Sequence, residues 1–516
     1  MKIDVYSHAI KISDVITERD LQAMLSFCKP LIEYGFEKKG KKFIPKGMRT
    51  FAAATRNRRE FSFHRNQLSS LKHHLFKNFG YAEHLVPIVH HVVKVEDLPK
   101  IKFDVRKMFP PRPIQVGIIE YVLDNENPKY DPIIKMVTLQ TGQGKTFIAQ
   151  YCMNQLSLRT MIHFKGGYVE RWKNDLEETF TFKRGEFLIV RGSKDLIALQ
   201  TMALEGTLEA KVIIVTSATM RDYIKHYEET NGSTKVYPIK PIDFYPKLGI
   251  GFRVTDELHQ EFHNNYRIDL YTHLPKSLGL SATMTSSDAF KNKMYDIAYP
   301  VMQRNDGGGY NVYIGVTAIM YHMDPDVKVR YMGAQGYSHT TFEESIMRHK
   351  GLLKSYLKII DHAIYNRYVS VREEGQKALV FFARVDMCTL MVERLKKMYP
   401  ELNVVRYVGS EGDSYEELLE ADVGVTTIGS GGTAIDIKNL RTSFMTTAID
   451  SRQSNEQVLG RTRPLKDWPD VTPEFIYFGC IEIEQHQKYG RNKEEFFRNK
   501  VVSHMKVISK YTLSLR

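Results

Sequence analysis

One stretch, Val137-Thr138-Leu139-Gln140-Thr141-Gly142-Gln143-Gly144-Lys145-Thr146, constrains this chain more than any other. The apolar run Ile133 to Val137 reads as a buried strand, and the residues after Thr146 keep an apolar spacing suited to a helix. Gly142 and Gly144 let the backbone turn so that successive N–H groups point at a phosphate. Lys145 adds a point charge, and the Thr146 hydroxyl is suited to hold Mg²⁺. A strict phosphate-loop pattern has a third glycine where Leu139 stands, but most phosphate contacts come from the last residues of the stretch, which are intact. The loop therefore points to a nucleoside triphosphate, with Thr141, Gly142, Gln143, Gly144, Lys145 and Thr146 as its binding residues.

At 516 residues the chain has room for about three domains. It has no apolar run of about 18 residues, no signal peptide and no lipidation motif, so a cytoplasmic protein with no membrane partner is expected. Cys28, Cys152, Cys388 and Cys480 lie far apart, which supports neither a disulfide framework nor a zinc site. The net charge of +13 is uneven, because residues 1–110 hold +10 of it. Between residues 38 and 65 stand ten basic residues and one acid, Glu60. Lys38, Lys39, Lys41, Lys42, Arg56, Arg58, Arg59 and Arg65 are the candidate phosphate contacts, with Phe43, Phe51, Phe61 and Phe63 interleaved. Those aromatics fit a core as well as a nucleic-acid face.

The first residues alternate as a strand, a helix is expected from Asp20 to about Tyr34, and a second from Leu68 to Phe79 stops at Gly80. Pro99 and the Pro110-Pro111-Arg112-Pro113 run mark a linker. Beyond it, apolar runs alternate with helical patterns at Met161–Phe164, Lys211–Val215, Gly251–Thr255 and Ser277–Leu280. The alternation repeats at Lys377–Phe382, Asn403–Tyr407, Asp422–Thr426 and Thr442–Ile449. Two α/β domains with parallel sheets are expected, joined at Asn305-Asp306-Gly307-Gly308-Gly309. The expected division is a basic domain at 1–105, a nucleotide-binding domain at 106–304, and a second α/β domain with a helical tail at 305–516.

After the strand ending at Thr255 comes Asp256-Glu257-Leu258-His259, about 110 residues beyond Lys145. A carboxylate at that strand end suits Mg²⁺, and its neighbour suits the attacking water; Asp256 takes the first role and Glu257 the second.

The phosphate loop, Asp256-Glu257-Leu258-His259 and Ser281-Ala282-Thr283, in that order, resemble motifs I, II and III of superfamily 2 helicases. Ala378 to Phe382 resembles motif IV, Thr426 to Asp436 motif V, and Gln457-Val458-Leu459-Gly460-Arg461-Thr462-Arg463 motif VI. Within that superfamily the chain most resembles phage branch-migration and recombination DNA helicases, which also place a small basic domain before the motor. The resemblance implies two RecA-like domains, ATP and Mg²⁺ as cofactors, and branched or partly single-stranded DNA as partner. It further implies that Arg112 and Gln115 meet the adenine, Asp436 the ribose, and Gln457, Arg461 and Arg463 the triphosphate. His259, Ser281 and Thr283 would couple the nucleotide site to nucleic acid. Ala434 and Pro464 stand where the family has glycine and arginine, so either Arg461 or Arg463 is the arginine finger. Phe164-Lys165-Gly166-Gly167 replaces the usual motif Ia, with Arg171-Trp172 following. An RNA helicase and a nucleotide-gated DNA-binding scaffold with little turnover remain alternatives. A small-molecule kinase would leave the second α/β set and the basic N-terminus without a role.

Overall fold

The computed structural model describes all residues except 40–41, 124–133, 141, 287, 308–311, 334–335, 410–412, 432–436, 466 and 516; the side chains of 35–47, 453 and 457 are also outside the description. Two compact units emerge. One comprises Met1–Leu139 with Gln143–Gly308, the other Gln140–Gly142 with Gly309–Arg516.

The first unit is built on a seven-stranded sheet in the order Phe187–Val190, Val212–Thr216, Thr160–Phe164, Phe252–Thr255, Lys276–Ser281, Ile134–Thr138, Arg304–Asn305. Every adjacent pair is parallel. The strands Thr160–Phe164, Val212–Thr216, Phe252–Thr255 and Lys276–Ser281 are buried along their whole length, as strands covered on both faces must be. Arg253 lies inside one such strand. It pairs with Asp269 in full burial and donates to Thr272 Oγ1 at 2.7 Å, which fixes the helix Phe262–Asp269 against the sheet.

The N-terminal region forms its own five-stranded sheet, ordered Ala53–Ala54, Phe61–His64, Ala9–Ser13, Lys2–Val5, Ile88–His90. A separate two-stranded ribbon, Ile32–Lys39 with Lys42–Thr50, stands beside it. The expected helix from Asp20 to Tyr34 stops at Cys28, because Pro30 follows and the chain turns into the ribbon at Ile32. The helix at Leu68 winds on through Asn78, and Gly80 adopts φ +64° as the stop it was expected to be.

This sheet is not a separately packed body. Phe51, Phe61 and Phe63 belong to one hydrophobic core that runs on into Phe262, Tyr266, Tyr295 and Tyr299 of the larger sheet's helices. The Phe51 ring lies 4.9 Å from that of Tyr266 and 5.6 Å from that of Phe290. Polar contacts reinforce the join: Ser7 N donates to His273 Nδ1 at 3.2 Å, and Arg56 N to Glu228 O at 2.9 Å. The described aromatics of the basic stretch are thus core.

The second unit repeats the design. Its seven strands run Val404–Tyr407, Val423–Thr427, Lys377–Phe382, Leu440–Met445, Glu474–Cys480, Gly315–Tyr321, Ser503–Ile508, all parallel. The architecture is therefore two RecA-like parallel sheets with a smaller N-terminal α+β region. The last segment carries the helix Glu484–Phe497, but the chain then returns to the sheet as an edge strand, where a helical tail was expected. Of the expected hinge, Gly308 and Gly309 lie outside the described residues.

Candidate nucleotide and nucleic-acid site

The strand Ile134–Thr138 delivers the chain to Leu139, whose N–H is held by Ser281 O at 3.0 Å. Gly142 and Gly144 take φ of +88° and +87°, a region that side chains with a Cβ avoid. The helix Lys145–Leu156 starts directly from Gly144, so its free N–H groups open on the loop. Thr141 lies outside the described residues. Lys145 Nζ donates to Leu139 O at 3.1 Å, curling the side chain over its own loop. It also stands 3.9 Å from Glu257 Oε1.

Asp256 and Glu257 sit where the strand Phe252–Thr255 ends. Asp256 Oδ2 accepts from Trp172 Nε1 at 2.9 Å and Oδ1 from Glu257 N at 2.8 Å. Burial pushes the Asp256 carboxyl above its ordinary value, and the Glu257 charge adds to the rise, while Lys145 opposes it. Glu257 adopts φ +45°, a left-handed conformation that a non-glycine residue holds only under constraint. Its Oε2 is buried and has no hydrogen-bond partner among the described residues. A buried carboxylate oxygen in that condition calls for a donor such as water.

His259 is 1% exposed, and its Nδ1 lies 2.5 Å from Ser281 Oγ. Burial first, then Lys145 and Lys291, push His259 down to about 3, so the ring is neutral at physiological pH. Ser281 Oγ donates to Thr283 O at 2.6 Å, which leaves His259 Nδ1 as the donor in their shared bond. Glu257 Oε2 lies 3.5 Å from His259 Nδ1, so His259, Ser281 and Thr283 form one continuous polar chain from the acidic pair to the end of the strand Lys276–Ser281.

Gln115 is braced inside the protein. Its Oε1 accepts from Arg112 N at 2.9 Å, and its Nε2 donates to Gln143 O at 3.0 Å. A Cβ on Gly144 would collide with Gln115 Nε2, so this glycine also admits the amide against the loop. Gln115 and Arg112 therefore reach the phosphate loop. Trp172, the anchor of Asp256, has a weak sequence signal: it follows a poor motif Ia and is one of only two tryptophans.

In the second unit the helix Arg452–Leu459 is capped by Ser451 and followed by Arg461 and Arg463. Thr462 between them is pinned: Ser443 Oγ lies 2.8 Å from its Oγ1, and Tyr313 OH donates to its carbonyl at 3.2 Å. Arg461 is 6% exposed, whereas Arg463 is half-buried. Asp436 and Ala434 lie outside the described residues, as does the Gln457 side chain. The same unit has an open cleft of about 1150 Å³ at the C-terminal ends of four strands. Thr340, Thr341, Thr427, Ser430, Thr447 and Ser451 line it with hydroxyls, of which Thr427 and Ser430 belong to the stretch that resembles motif V.

The basic stretch divides. Arg56, Arg58 and Arg59 are exposed on a tight turn in which Arg58 N donates to Thr55 O at 2.8 Å and Arg59 N to Asn57 Oδ1 at 3.2 Å. Asn57 N donates to Asn231 Oδ1 at 2.8 Å, docking that turn on its neighbour. Arg65 is different: its guanidinium donates to Tyr6 O at 3.0 Å, and it is half-buried. Lys41, and the side chains of Lys38, Lys39 and Lys42, lie outside the description.

Solved structures share this architecture. A fragment described as an HsdR subunit of a type I restriction enzyme from Vibrio vulnificus YJ016 is 14% identical with a TM-score of 0.50, over 77% of this chain and 68% of that one. The likeness is one of fold: two RecA-like parallel sheets. Mss116p bound to ssRNA and AMP-PNP gives the same identity of 14% and TM-score of 0.50, over 77% of this chain and 75% of that one. T4 UvsW is 14% identical over 98% of this chain and 100% of that one, with a TM-score of 0.33. A restriction-enzyme subunit and an RNA-bound protein thus share the fold equally, and the likeness does not single out the phage branch-migration helicases. No family model and no curated protein sequence matches the chain.

Proposed function

We propose that this chain is an ATP-dependent helicase or translocase that acts on DNA, with forks, junctions and displacement loops as its substrates in phage replication, recombination or repair. The observation that carries the reading is the meeting of Lys145 and Glu257 at 3.9 Å, between the glycine loop and the anchored Asp256. The orphaned Glu257 oxygen and the open helix N-terminus fit ATP and Mg²⁺. ATP supplies the phosphoryl bond to be broken, and Mg²⁺ the charge that balances its oxygens. Lys145 and the loop N–H groups would hold phosphate, and Thr146 and Asp256 the metal. Glu257 is positioned to orient a water and take its proton. His259 and Ser281 give a change at Glu257 a short, rigid path to the end of the neighbouring strand.

For the partner, Arg56, Arg58 and Arg59 present three cations on a fixed turn, which suits a phosphate backbone and carries no base information. The hydroxyl-lined cleft of the second unit suits a single sugar–phosphate strand, since helix N-termini favour anions. The test is the ATPase rate with single-stranded, duplex, forked and four-way-junction DNA and with RNA. Greatest stimulation by forks and junctions is expected. Stimulation by RNA alone would replace DNA with RNA, and nucleotide binding without turnover would leave a gated scaffold.

A further inference from the structure

We propose that the strand Ser503–Ile508 is a docking edge, to which an extended, apolar and acidic segment of another protein adds as a further strand of the second sheet. This strand closes its sheet, paired with Gly315–Tyr321 on one side and with no described strand on the other. The register sets Val316 against His504 and Met320 against Ile508, and Ser509 N donates to Met320 O at 2.7 Å. In a parallel ladder alternate residues bond to the same neighbour, so Ser503, Met505 and Val507 face inward. The N–H and C=O groups of His504, Lys506 and Ile508 then turn outward.

The side chains along this edge are apolar and uncovered. Val502 is 58% exposed, Met505 48%, Val507 39% and Ile508 62%. Folded proteins usually blunt such an edge with charges, a proline, a bulge or a covering element, because open backbone beside apolar side chains pairs with other chains. The opposite edge of the same sheet shows that treatment: Val404–Tyr407 is half-buried, and Asp413 accepts from Val408 N at 2.7 Å beside it. Ser503–Ile508 has only Lys506.

Charge selects the occupant. Residues 498–516 contain five Lys or Arg and no Asp or Glu. Lys500 is engaged by Glu456, whereas Lys506 and Lys510 are exposed. Pairing of two copies of this strand would bring those lysines together across the ladder, which is unfavourable. A partner strand that alternates apolar with acidic residues meets both the uncovered methyl groups and the lysines, and takes up the outward backbone groups.

The test uses the full chain and a fluorescent peptide of about ten residues alternating valine with glutamate, beside a valine–lysine counterpart. The acidic peptide should bind and slow amide exchange at His504, Lys506 and Ile508. The basic one should bind at least about tenfold more weakly. Ile508→Pro removes an outward donor without touching the ladder to Gly315–Tyr321, and should weaken the acidic peptide by about tenfold or more at an unchanged melting temperature. Should that variant fold poorly, Lys506→Glu keeps every backbone group and should reverse the preference between the peptides. Absence of peptide binding, equal binding of both peptides, or protection elsewhere in the chain would overturn the proposal. So would a wild-type dimer that Ile508→Pro dissociates, since the occupant would then be a second copy.

Discussion

Trp172 donates its indole N–H to Asp256 at 2.9 Å, while its ring stacks on Phe164 with centroids 5.9 Å apart. The indole therefore has two separable jobs, packing and aiming. Trp172→Phe keeps the ring and removes the donor. Turnover should fall roughly tenfold and require more Mg²⁺, as when the groups that orient a metal-holding carboxylate are removed. The melting temperature should also fall, because Trp172 is 1% exposed and the smaller ring leaves a cavity, so the Mg²⁺ dependence is the deciding readout. An unchanged Mg²⁺ dependence would show that Asp256 needs no such anchor.

Lys145→Ala should bind nucleotide weakly and show no measurable ATP hydrolysis, because the cation curled over the loop is gone. Glu257→Gln should retain nucleotide and Mg²⁺ binding yet turn over at least about a hundredfold more slowly, having lost the proton acceptor. Equilibrium binding of a fluorescent ATP analogue, read beside the ATPase rate, separates the two. Rapid hydrolysis by Glu257→Gln would remove that residue from its role.

The two arginines after the helix Arg452–Leu459 should not behave alike. Whichever faces the triphosphate should cost on the order of 10³-fold in turnover when changed to alanine. Arg461→Ala should also lower the melting temperature, because Arg461 is 6% exposed and its loss leaves a cavity, whereas Arg463→Ala should not. If neither variant slows hydrolysis, neither is a finger.

How much of the molecule is legible in the sequence differs from residue to residue. Many of the fully buried strands are legible, since Val212–Thr216 is a continuous apolar or β-branched run and Phe252–Thr255 one broken only by Arg253, but Gly315–Tyr321, equally buried, is not among those expected. Phe187–Val190 and Ser503–Ile508 escape notice, being short edge strands whose side chains are incompletely covered and so carry little pattern. Gly142, Gly144 and Lys145 follow local rules of backbone and charge. The bond from Gln115 to Gln143 and the anchoring of Asp256 by Trp172 join residues far apart in sequence, and no local rule contains them. The phenylalanines of the basic stretch are ambiguous for a physical reason. An aromatic ring serves a core and a stacked base equally well, and only the presence of Tyr266 and Phe290 beside Phe51 decides.

Mild acid should unfold the two units unequally. His8 lies well below the ordinary histidine value, and burial pushes His64 to about 4, His163 to about 3, His259 to about 3 and His273 to about 4. All five are in the first unit; His339 and His486 are their deeply buried counterparts in the second. A histidine depressed in the folded state binds fewer protons there than when unfolded. Its stabilisation is complete above about pH 6.5 and drains away as pH falls toward the folded value, at about 1.4 kcal/mol per pH unit for each ring. The first unit should therefore melt earlier at about pH 5.5 than the second. Trp172 reports on the first unit and Trp468 on the second, so fluorescence melts of Trp468→Phe and Trp172→Phe follow each separately. Coincident melts at mild acid would show that the histidines are not the controlling groups.

Deleting residues 1–105 is a poor test of the basic region, because Phe51, Phe61 and Phe63 belong to the core that supports the helix after Asp256-Glu257. The informative variant keeps that core and changes only the exposed turn, with Arg56, Arg58 and Arg59 all replaced by alanine. Every phosphate that no longer meets a cation should flatten the dependence of log affinity on log salt by about 0.9, so a junction should show a slope shallower by roughly two to three. ATP hydrolysis with saturating single-stranded DNA should be unchanged, since none of the three approaches Lys145 or Glu257. Arg65→Ala is the matched control: its guanidinium is committed to Tyr6 O, so it should lower stability and leave the salt slope alone. If the triple variant binds junctions with the wild-type slope while Arg65→Ala alters it, the turn is a solvated surface, and the phosphate-binding cations lie on the ribbon Ile32–Thr50 or beyond the N-terminal region.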